Sequence, residues 1–421
     1  MGSKLKILKN QYVFSVISEA ISILSAFVFT VFQARFLGAE LKGQIATINS
    51  VLSITSIVFG FGIYQTYPYY RKNNEGDMRT AFVKIALMMI GSYMAIAVGA
   101  CLLLKLELKY AAILLLTPVK IYDLLVSEIV LIENPNQRNG ICNFVRIAEL
   151  VFVFLLWQFA SASLTWGVII ILFEMALKSV ILTWSLRDSI FKRGAKIGPM
   201  LIPLVKFGFF PMLSILMASL NYRLNVLMLN GQVSDASIGV YSVGVLLADR
   251  IWLVPDAMKG VMMSNITKGK ASDEVAYVMR ICNTLCFCLV IGIAALGEPF
   301  LNLVFGPEYR GAYPITLILL VGVFPMIAYK IIAAYNIVLG RQRISFILLT
   351  ISVVCNVISN YFLIPVWGIY GAGISSVISY MLCSVLFVID FCRQTHISVT
   401  KLLVVNLQDI KKLKSYIAKK K

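Results

Sequence analysis

The sequence has little of the side-chain chemistry on which most enzymes depend. Its single histidine, His396, follows the last apolar segment, so neither a histidine-based catalytic triad nor an HExxH zinc site can operate within the apolar part of the chain. A phosphate-binding loop of the form GxxxxGK(S/T) is also missing, because Gly269-Lys270 is followed by Ala271. These absences exclude an ATP-driven transporter contained in one chain.

Ligands for metals are equally scarce. The 8 cysteines lie mostly inside apolar segments, and their densest group, Cys282, Cys286 and Cys288, has no CxxC pair and no neighbouring histidine. Packing explains these thiols better than a metal site or a disulfide does, and we expect no cofactor. The predicted external loops contain no DxD or ExD pair to hold a sugar phosphate and its metal. A membrane glycosyltransferase or polymerase is therefore only a remote alternative, and we do not expect an enzyme.

Apolar residues, by contrast, make up 59% of the chain. A helix needs about 20 mostly apolar residues to cross a bilayer, and twelve such segments leave little chain for a soluble domain. The predicted spans are 12–33, 44–66, 81–103, 110–132, 141–160, 164–186, 201–229, 238–264, 279–297, 313–339, 344–366 and 368–391.

The positive charges alternate from loop to loop. Ends and loops on one side carry most of the lysines and arginines, which predicts a multi-pass protein with both termini in the cytoplasm. The net charge of +18 is explained by these membrane-edge cations and a basic tail, so we expect no nucleic-acid partner. The loops on the other side contain only Arg35, Lys42, Lys105, Lys109 and Arg310.

Three stretches carry a resemblance to a known family: residues 35–43 (RFLGAELKG), 296–312 (LGEPFLNLVFGPEYRGA) and 363–373 (LIPVWGIYGAG). In order and spacing they resemble the O-antigen and polysaccharide transporters of the multidrug/oligosaccharidyl-lipid/polysaccharide flippase superfamily. One departure is Asn225, at a position where relatives often have an aspartate. A weak internal repeat agrees with two related halves: the spans that open at Gln137-Arg138 and at Gln342-Arg343 lead to Trp166-Gly167 and to Trp367-Gly368.

The resemblance implies an all-α integral membrane protein with two pseudo-symmetric six-helix lobes around a central cavity. We expect the N-terminal lobe at residues 1–190, a cytoplasmic linker at 191–200, the C-terminal lobe at 201–392 and a basic amphipathic cytoplasmic tail at 393–421. It also implies a flippase in the bacterial inner membrane, which moves a polyprenyl-pyrophosphate-linked oligosaccharide to the external leaflet by alternating access. The alternatives are a cation-coupled multidrug exporter and a cell-wall lipid precursor flippase of the same superfamily.

Charged residues inside the predicted spans give an independent indication of a binding site. Each would cost roughly 2.5 to 3.5 kcal/mol at a lipid-facing midplane, and guanidinium groups bind phosphate oxygens well. For Lys178, a pair with Glu174 four residues away is a structural alternative. Three acids could couple transport to a proton or sodium gradient: Glu19, Asp249 and Asp256. The candidate substrate-binding residues are Arg223, Arg250, Lys330, Asn221, Asn225, Asn49, Lys120 and Lys178.

The C-terminal tail has its own pattern. Leu403, Leu407, Ile410 and Ile417 share one helical face beneath several lysines. This pattern predicts an interfacial helix attracted to anionic lipid. A tail that binds polysaccharide assembly proteins is the alternative.

Overall fold

The computed structural model describes residues 11–73, 77–192, 198–266, 271–403 and 409, with side chains described from residue 24 onward except at positions 73, 199, 260, 261, 264, 265, 271 and 272. Within these residues the chain is helical throughout, apart from short connections and one isolated bridge between Asn230 and Val233. The helices are α1 Gln11–Phe59, α2 Ile63–Asn73, α3 Met78–Leu104, α4 Leu108–Glu133, α5 Pro135–Phe159, α6 Leu164–Ser185, α7 Arg187–Phe191, α8 Gly198–Leu229, α9 Asp235–Asp249, α10 Leu253–Ile266, α11 Ala271–Val304, α12 Ala312–Val323, α13 Met326–Val338, α14 Gln342–Thr395 and α15 Thr400–Leu403, with 3-10 turns at Arg250–Trp252 and Pro307–Tyr309.

Local sequence explains where several helices begin. Asn134 precedes α5 and accepts a hydrogen bond from the Gln137 amide, with a proline in the first turn. Ser163 and Ser234 accept equivalent bonds at the starts of α6 and α9. Such side chains satisfy amide groups that the first helical turn leaves unpaired.

Each predicted span lies on one helix or on consecutive helices separated by a short break, which confirms the all-α membrane class. Among the described residues, eight helical segments are long and apolar enough to cross a membrane by length and composition, or nine if the bent pair α12 and α13 counts as one span. α4, which carries Lys120 and Asp123, is not among these eight. The cytoplasmic position of the termini stays a prediction.

Two predicted external loops are single glycine breaks instead. α1 and α14 each continue through a residue with non-helical angles, Gly38 at φ 70° and ψ 175° and Gly368 at φ 53° and ψ −127°. Only glycine adopts such positive φ values without strain. A single residue therefore interrupts the helix where we expected a loop. α1 contains the first predicted span and most of the second, and α14 contains the eleventh and the twelfth.

The chain divides into two compact units, residues 1–216 and 217–421. The division falls within α8, so the predicted lobe boundaries stay a prediction. Inside the N-terminal unit, buried residues form two apolar clusters, one around Phe82 and Ile129 and one around Ile48 and Val153. Large apolar side chains are also strongly exposed, including Leu103 at 84% and Phe159 at 85%. Exposure on this scale is expected of surfaces that face lipid.

Candidate functional site

The eighth predicted span is broken near its middle. α9 ends at Asp249, Arg250–Trp252 form a 3-10 turn, and α10 begins at Leu253. A 3-10 turn inside a long helix often marks a functional hinge, and many transporters place substrate groups at such discontinuous helices. The break makes Asp249, Arg250 and Trp252 candidates for a functional site.

The tenth predicted span is also broken, and the two breaks meet. α12 and α13 are inclined by 46° on either side of Phe324 and Pro325. The Ile327 amide donates to Phe324 rather than to Val323, because the proline disturbs the regular pattern. The released Val323 carbonyl accepts a hydrogen bond of 3.1 Å from Nε1 of Trp252. Trp252 thus joins the two broken spans within the C-terminal unit.

Lys330 lies beside this junction. Its Nζ is 2.8 Å from Oδ2 of Asp256 and 4.7 Å from the ring centroid of Trp252. Lys259 also contacts Asp256, at 2.8 Å. The Lys330 side chain is only 12% exposed, so a cation–π contact and an ion pair compensate for its desolvation. Two of the predicted site residues, Lys330 and Asp256, therefore meet.

The remaining charges of this region surround Asp249, which is attracted electrostatically to Arg223, Arg250 and Lys330. Arg223 is exposed. It makes no hydrogen bond or ion pair with any residue that the structure describes. Arg250, by comparison with the exposed Arg223, is partly buried. Together with the pairs above, the region holds four cations, Arg223, Arg250, Lys259 and Lys330, and two carboxylates. We call these six residues the charged cluster.

Aromatic rings border the charged cluster. The ring centroids of Tyr222 and Trp252 are 5.1 Å apart, and that of Tyr380 lies 6.2 Å and 6.1 Å from them. Edge-on and tilted contacts of this kind are the favoured aromatic geometry. The sequence reasoning did not single out these rings, although Tyr222 adjoins Arg223 in sequence. They form an aromatic wall, and Lys330 lies against its Trp252 ring.

Asn221 and Asn225 lie elsewhere, inside the C-terminal unit. They are 0% and 2% exposed. Asn225 donates to Tyr241 at 2.9 Å and to Ser376, and accepts from Asn360 at 2.7 Å. Both side-chain atoms of Asn225 and the side-chain oxygen of Asn221 thus bind other helices of the unit, whereas the buried Nδ2 of Asn221 has no hydrogen-bond partner among the described residues. Their predicted role in substrate binding stays a prediction.

Asn356 and Asn360 complete this buried network and were not among the predicted site residues. Asn360 donates to Asn356 at 2.9 Å, and Asn356 donates to Ser379 at 3.1 Å. Ser352 and Ser379 both approach the Asn221 oxygen, at 3.4 Å. The spacing of Ser352, Asn356 and Asn360 on one face of α14 is a signal that could have found them. We call this set the asparagine network.

In the N-terminal unit, Lys178 pairs with Asp123 at 2.9 Å. The structural alternative of a Glu174–Lys178 pair is therefore wrong, since Glu174 instead lies 3.4 Å from Arg146. The reason is that a facing helix offers Lys178 a more buried carboxylate, 2% exposed. Lys120 is attracted to the same Asp123.

Three further expectations can be placed only in part. Asn49 is partly buried on α1. The side chain of Glu19 lies outside the described residues, and so does most of the tail beyond Leu403. Arg280 holds residue Asp409 through two contacts of 2.6 Å. Across the described part of the chain, no group of three metal-ligating side chains occurs.

Comparison with solved structures shows what the fold resembles. The chain shares its fold with a flippase and with a multidrug transporter. It is similar to the structure of lipid II flippase MurJ in an inward closed conformation, with a TM-score of 0.70 and 16% identity over 93% of this chain and 89% of that one. An inward-facing MATE multidrug transporter of the superfamily gives a TM-score of 0.68 and 12% identity, over 89% and 94% of the two chains.

Sequence comparison adds relatives that match about a third of the chain. No family model matches the chain. A probable multidrug resistance protein NorM from Bacillus cereus is 27% identical over 165 residues, which are 35% of this chain and 36% of that protein. NorM from Bacillus thuringiensis subsp. konkukian is 26% identical over 156 residues, 32% and 34% of the two chains. The chain thus spans about a third of the length of the curated relatives it matches. The similarity to the two solved structures shows the fold of the chain.

Proposed function

We propose that the protein is a flippase that moves a polyprenyl-pyrophosphate-linked oligosaccharide, such as an O-antigen or capsule repeat unit, across a bacterial inner membrane. The observation that carries the proposal is the charged cluster at the break between α9 and α10. Its four cations exceed its two carboxylates. A site of this charge suits an anionic head group better than a cationic drug.

Arg223 and Arg250 are the residues to which we assign the pyrophosphate. A guanidinium group forms two parallel, charge-assisted hydrogen bonds with phosphate oxygens. Arg223 is exposed, so it can bind a ligand without first breaking an ion pair with another described residue. Lys330 contacts Asp256 and Trp252. We therefore assign it two roles: it stabilises the break between α9 and α10, and it adds positive potential to the site.

Transport then follows from charge compensation. The polyprenyl tail stays in hydrocarbon while sugar and pyrophosphate pass through the protein by alternating access. This path removes most of the desolvation cost that a charged head group would meet in lipid. A proton or sodium gradient could act through Asp249, the acid of the cluster that lies among three cations.

Two other functions have support of their own. The matched segments of the NorM proteins and the aromatic wall of Tyr222, Trp252 and Tyr380 favour a cation-coupled multidrug exporter. The similarity in fold to a lipid II flippase favours a cell-wall lipid precursor as cargo. Each of these two functions has a different transported substrate from the one we propose, so transport assays can distinguish them.

The test uses proteoliposomes that contain a fluorescent polyprenyl-pyrophosphate oligosaccharide and a membrane-impermeant quencher. Flipping should require the protein and should be lost when Arg223→Ala is combined with Arg250→Ala. Arg310→Ala is the matched control, since Arg310 is an exposed arginine of the same unit outside the cluster, and it should flip normally. Assays with and without an ion gradient test coupling.

Each result separates the candidates. Flipping that survives in the double variant would keep the activity and reject the assigned site. Transport of a cationic dye but not of the lipid-linked sugar, with or without a gradient, would favour the multidrug exporter. Flipping of lipid II alone would favour the cell-wall precursor.

A further inference from the structure

A cavity of about 660 Å³ opens on the side of the N-terminal unit, among α3, α4, α6 and α7. Its walls are apolar, with Leu87 and Ile90 on one side and Leu172 and Ala176 on the other. We call this cavity the lateral groove. It lies within one unit and shares no residue with the charged cluster, so the proposed transport of an oligosaccharide makes no use of it.

An arginine and a tryptophan mark one end of the lateral groove. Arg187 follows α6 directly, and its guanidinium carbon lies 5.2 Å from the ring centroid of Trp184. Both side chains are largely exposed, at 59% and 68%. The nearest carboxylate, that of Asp188, is 4.0 Å away and 88% exposed, so it neutralises Arg187 only weakly. Tryptophan and arginine at a helix end are typical of the level of lipid head groups.

A line of hydroxyl groups leads from this end into the groove. Thr183 and Ser179 lie one and two turns before Arg187, and the Tyr122 hydroxyl is 2.7 Å from that of Thr183. Ser179 is 5% exposed, and its Oγ has no hydrogen-bond partner among the described residues. A buried hydroxyl without a hydrogen-bond partner destabilises the fold. The lateral groove therefore combines apolar walls with one hydroxyl, that of Ser179, which a ligand could hydrogen-bond.

We propose that the lateral groove binds an anionic glycerophospholipid, with its phosphate on Arg187 and one acyl chain along the apolar walls. Basic pockets between spanning helices at the cytoplasmic side are suited to anionic head groups, and this is the side predicted for Arg187. The ester carbonyls of a glycerophospholipid can accept a hydrogen bond from Ser179. A polyprenyl chain has no such acceptor beyond its phosphate, so the hydroxyl favours the glycerolipid over the transported cargo.

A second groove provides an internal comparison. It has a volume of about 370 Å³ and is lined by residues of α1, α3 and α4 that include Phe59, Ala100 and Pro118. No charged residue lines it. We expect it to hold lipid chains without selecting a head group.

The experiment measures which lipid touches Trp184. Full-length protein is reconstituted with phosphatidylglycerol or phosphatidylcholine, and one of the two carries brominated acyl chains that quench tryptophan. Subtracting the signal of Trp184→Phe isolates the contribution of Trp184. Brominated phosphatidylglycerol should quench it at a mole fraction about fivefold lower than brominated phosphatidylcholine, as expected for about 1 kcal/mol per cation near the membrane surface.

Two variants should remove the preference, Arg187→Gln by loss of charge and Ala176→Phe by filling the groove. Two matched controls should keep it: Lys192→Gln, an exposed cation nearby, and Ala100→Phe in the second groove. Equal quenching by both lipids, or a preference that survives Arg187→Gln, would overturn the proposal. Displacement of brominated phosphatidylglycerol by a small fraction of polyprenyl phosphate would overturn it too, in favour of the cargo chain. Because the readout is lipid contact and not flipping, it is independent of the proposed transport.

Discussion

Lys330 and Asp256 form an ion pair of 2.8 Å between helices whose paired residues are 74 positions apart in sequence. Lys330 also lies over the ring of Trp252, and Nε1 of Trp252 donates to the Val323 carbonyl at the bend between α12 and α13. This ion pair therefore links α10 to α13, two of the helices that carry the charged cluster. Its strength can be measured apart from any transport activity.

We predict that Lys330→Met and Asp256→Asn are coupled. Each single change should lower the free energy of unfolding by about 1 to 2 kcal/mol, since Lys330 is largely buried and contacts an aromatic ring. The double variant should lose less than the sum, with a coupling of at least about 0.5 kcal/mol. Thermal unfolding of the four proteins in nanodiscs measures this. Lys259→Met, a more exposed partner of Asp256, should cost little, and additive losses at Lys330 and Asp256 would contradict the assigned pair.

The asparagine network should be more sensitive than surface amides. Asn225→Leu removes a donor to Tyr241 and an acceptor for Asn360. Because both partners are buried, we expect a loss of at least about 1 to 3 kcal/mol, seen as a lower unfolding midpoint. Gln232→Leu is the control, since Gln232 is an exposed amide after α8 whose Nε2 donates to the Met228 carbonyl. Equal midpoints for the two variants would show that the network contributes no stability.

Close packing at the last bend predicts a contrast between two glycines. A Cβ atom at Gly371 would lie 2.1 Å from the carbonyl oxygen of Leu363, whereas one at Gly292 would meet nothing within 4 Å. Gly371→Ala should therefore destabilise the protein by several kcal/mol or prevent folding. Gly292→Ala should be neutral or stabilising by up to about 1 kcal/mol. Size-exclusion profiles and unfolding midpoints of both variants provide the measurement, and a normal Gly371→Ala protein would contradict the observed packing.

The Asp77 carboxylate predicts a loss of stability in acid. Lys192, 2.5 Å away, and the Thr80 amide at the start of α3 both donate to it. The hydrogen bond from Lys192 is the main cause that lowers the pKa of Asp77 to about 2. Because the folded pKa lies below the unfolded one, the stabilisation is complete above about pH 4 and is lost as the pH falls towards 2.

The pH dependence is isolated by Asp77→Asn, which keeps a helix-capping side chain and removes the charge. The variant should unfold at a lower temperature than the wild type at pH 7, by a margin below about 1 kcal/mol because the ion pair is exposed. That margin should shrink between pH 4 and pH 2. Asp188→Asn, at a carboxylate that is 88% exposed, should show no such trend. A constant margin for Asp77→Asn would reject the assignment.

Much of the fold could be predicted from the sequence, since runs of apolar residues leave few alternatives to spanning helices. The connection after the first span could not, because a break at Gly38, with a positive φ, replaces the ten-residue loop that we expected. The break at Arg250 was not predicted either. Pro255, which has no amide hydrogen to donate to Ile251, is a local signal for this break, whereas the contact of Trp252 with the Val323 carbonyl could be seen only in the folded chain.

The candidate site divides in the same way. The sequence by itself determined that cations are placed inside apolar segments, because each charge stands out against its neighbours in the chain. Only the tertiary structure decided which charges meet: Lys178 pairs with Asp123 rather than Glu174, and Asn225 binds Asn360 from 135 residues away. The physical reason is that periodicity fixes the face of one helix on which a side chain lies. The helix that packs against that face is chosen by the complementarity of whole surfaces, which is a property of the folded chain.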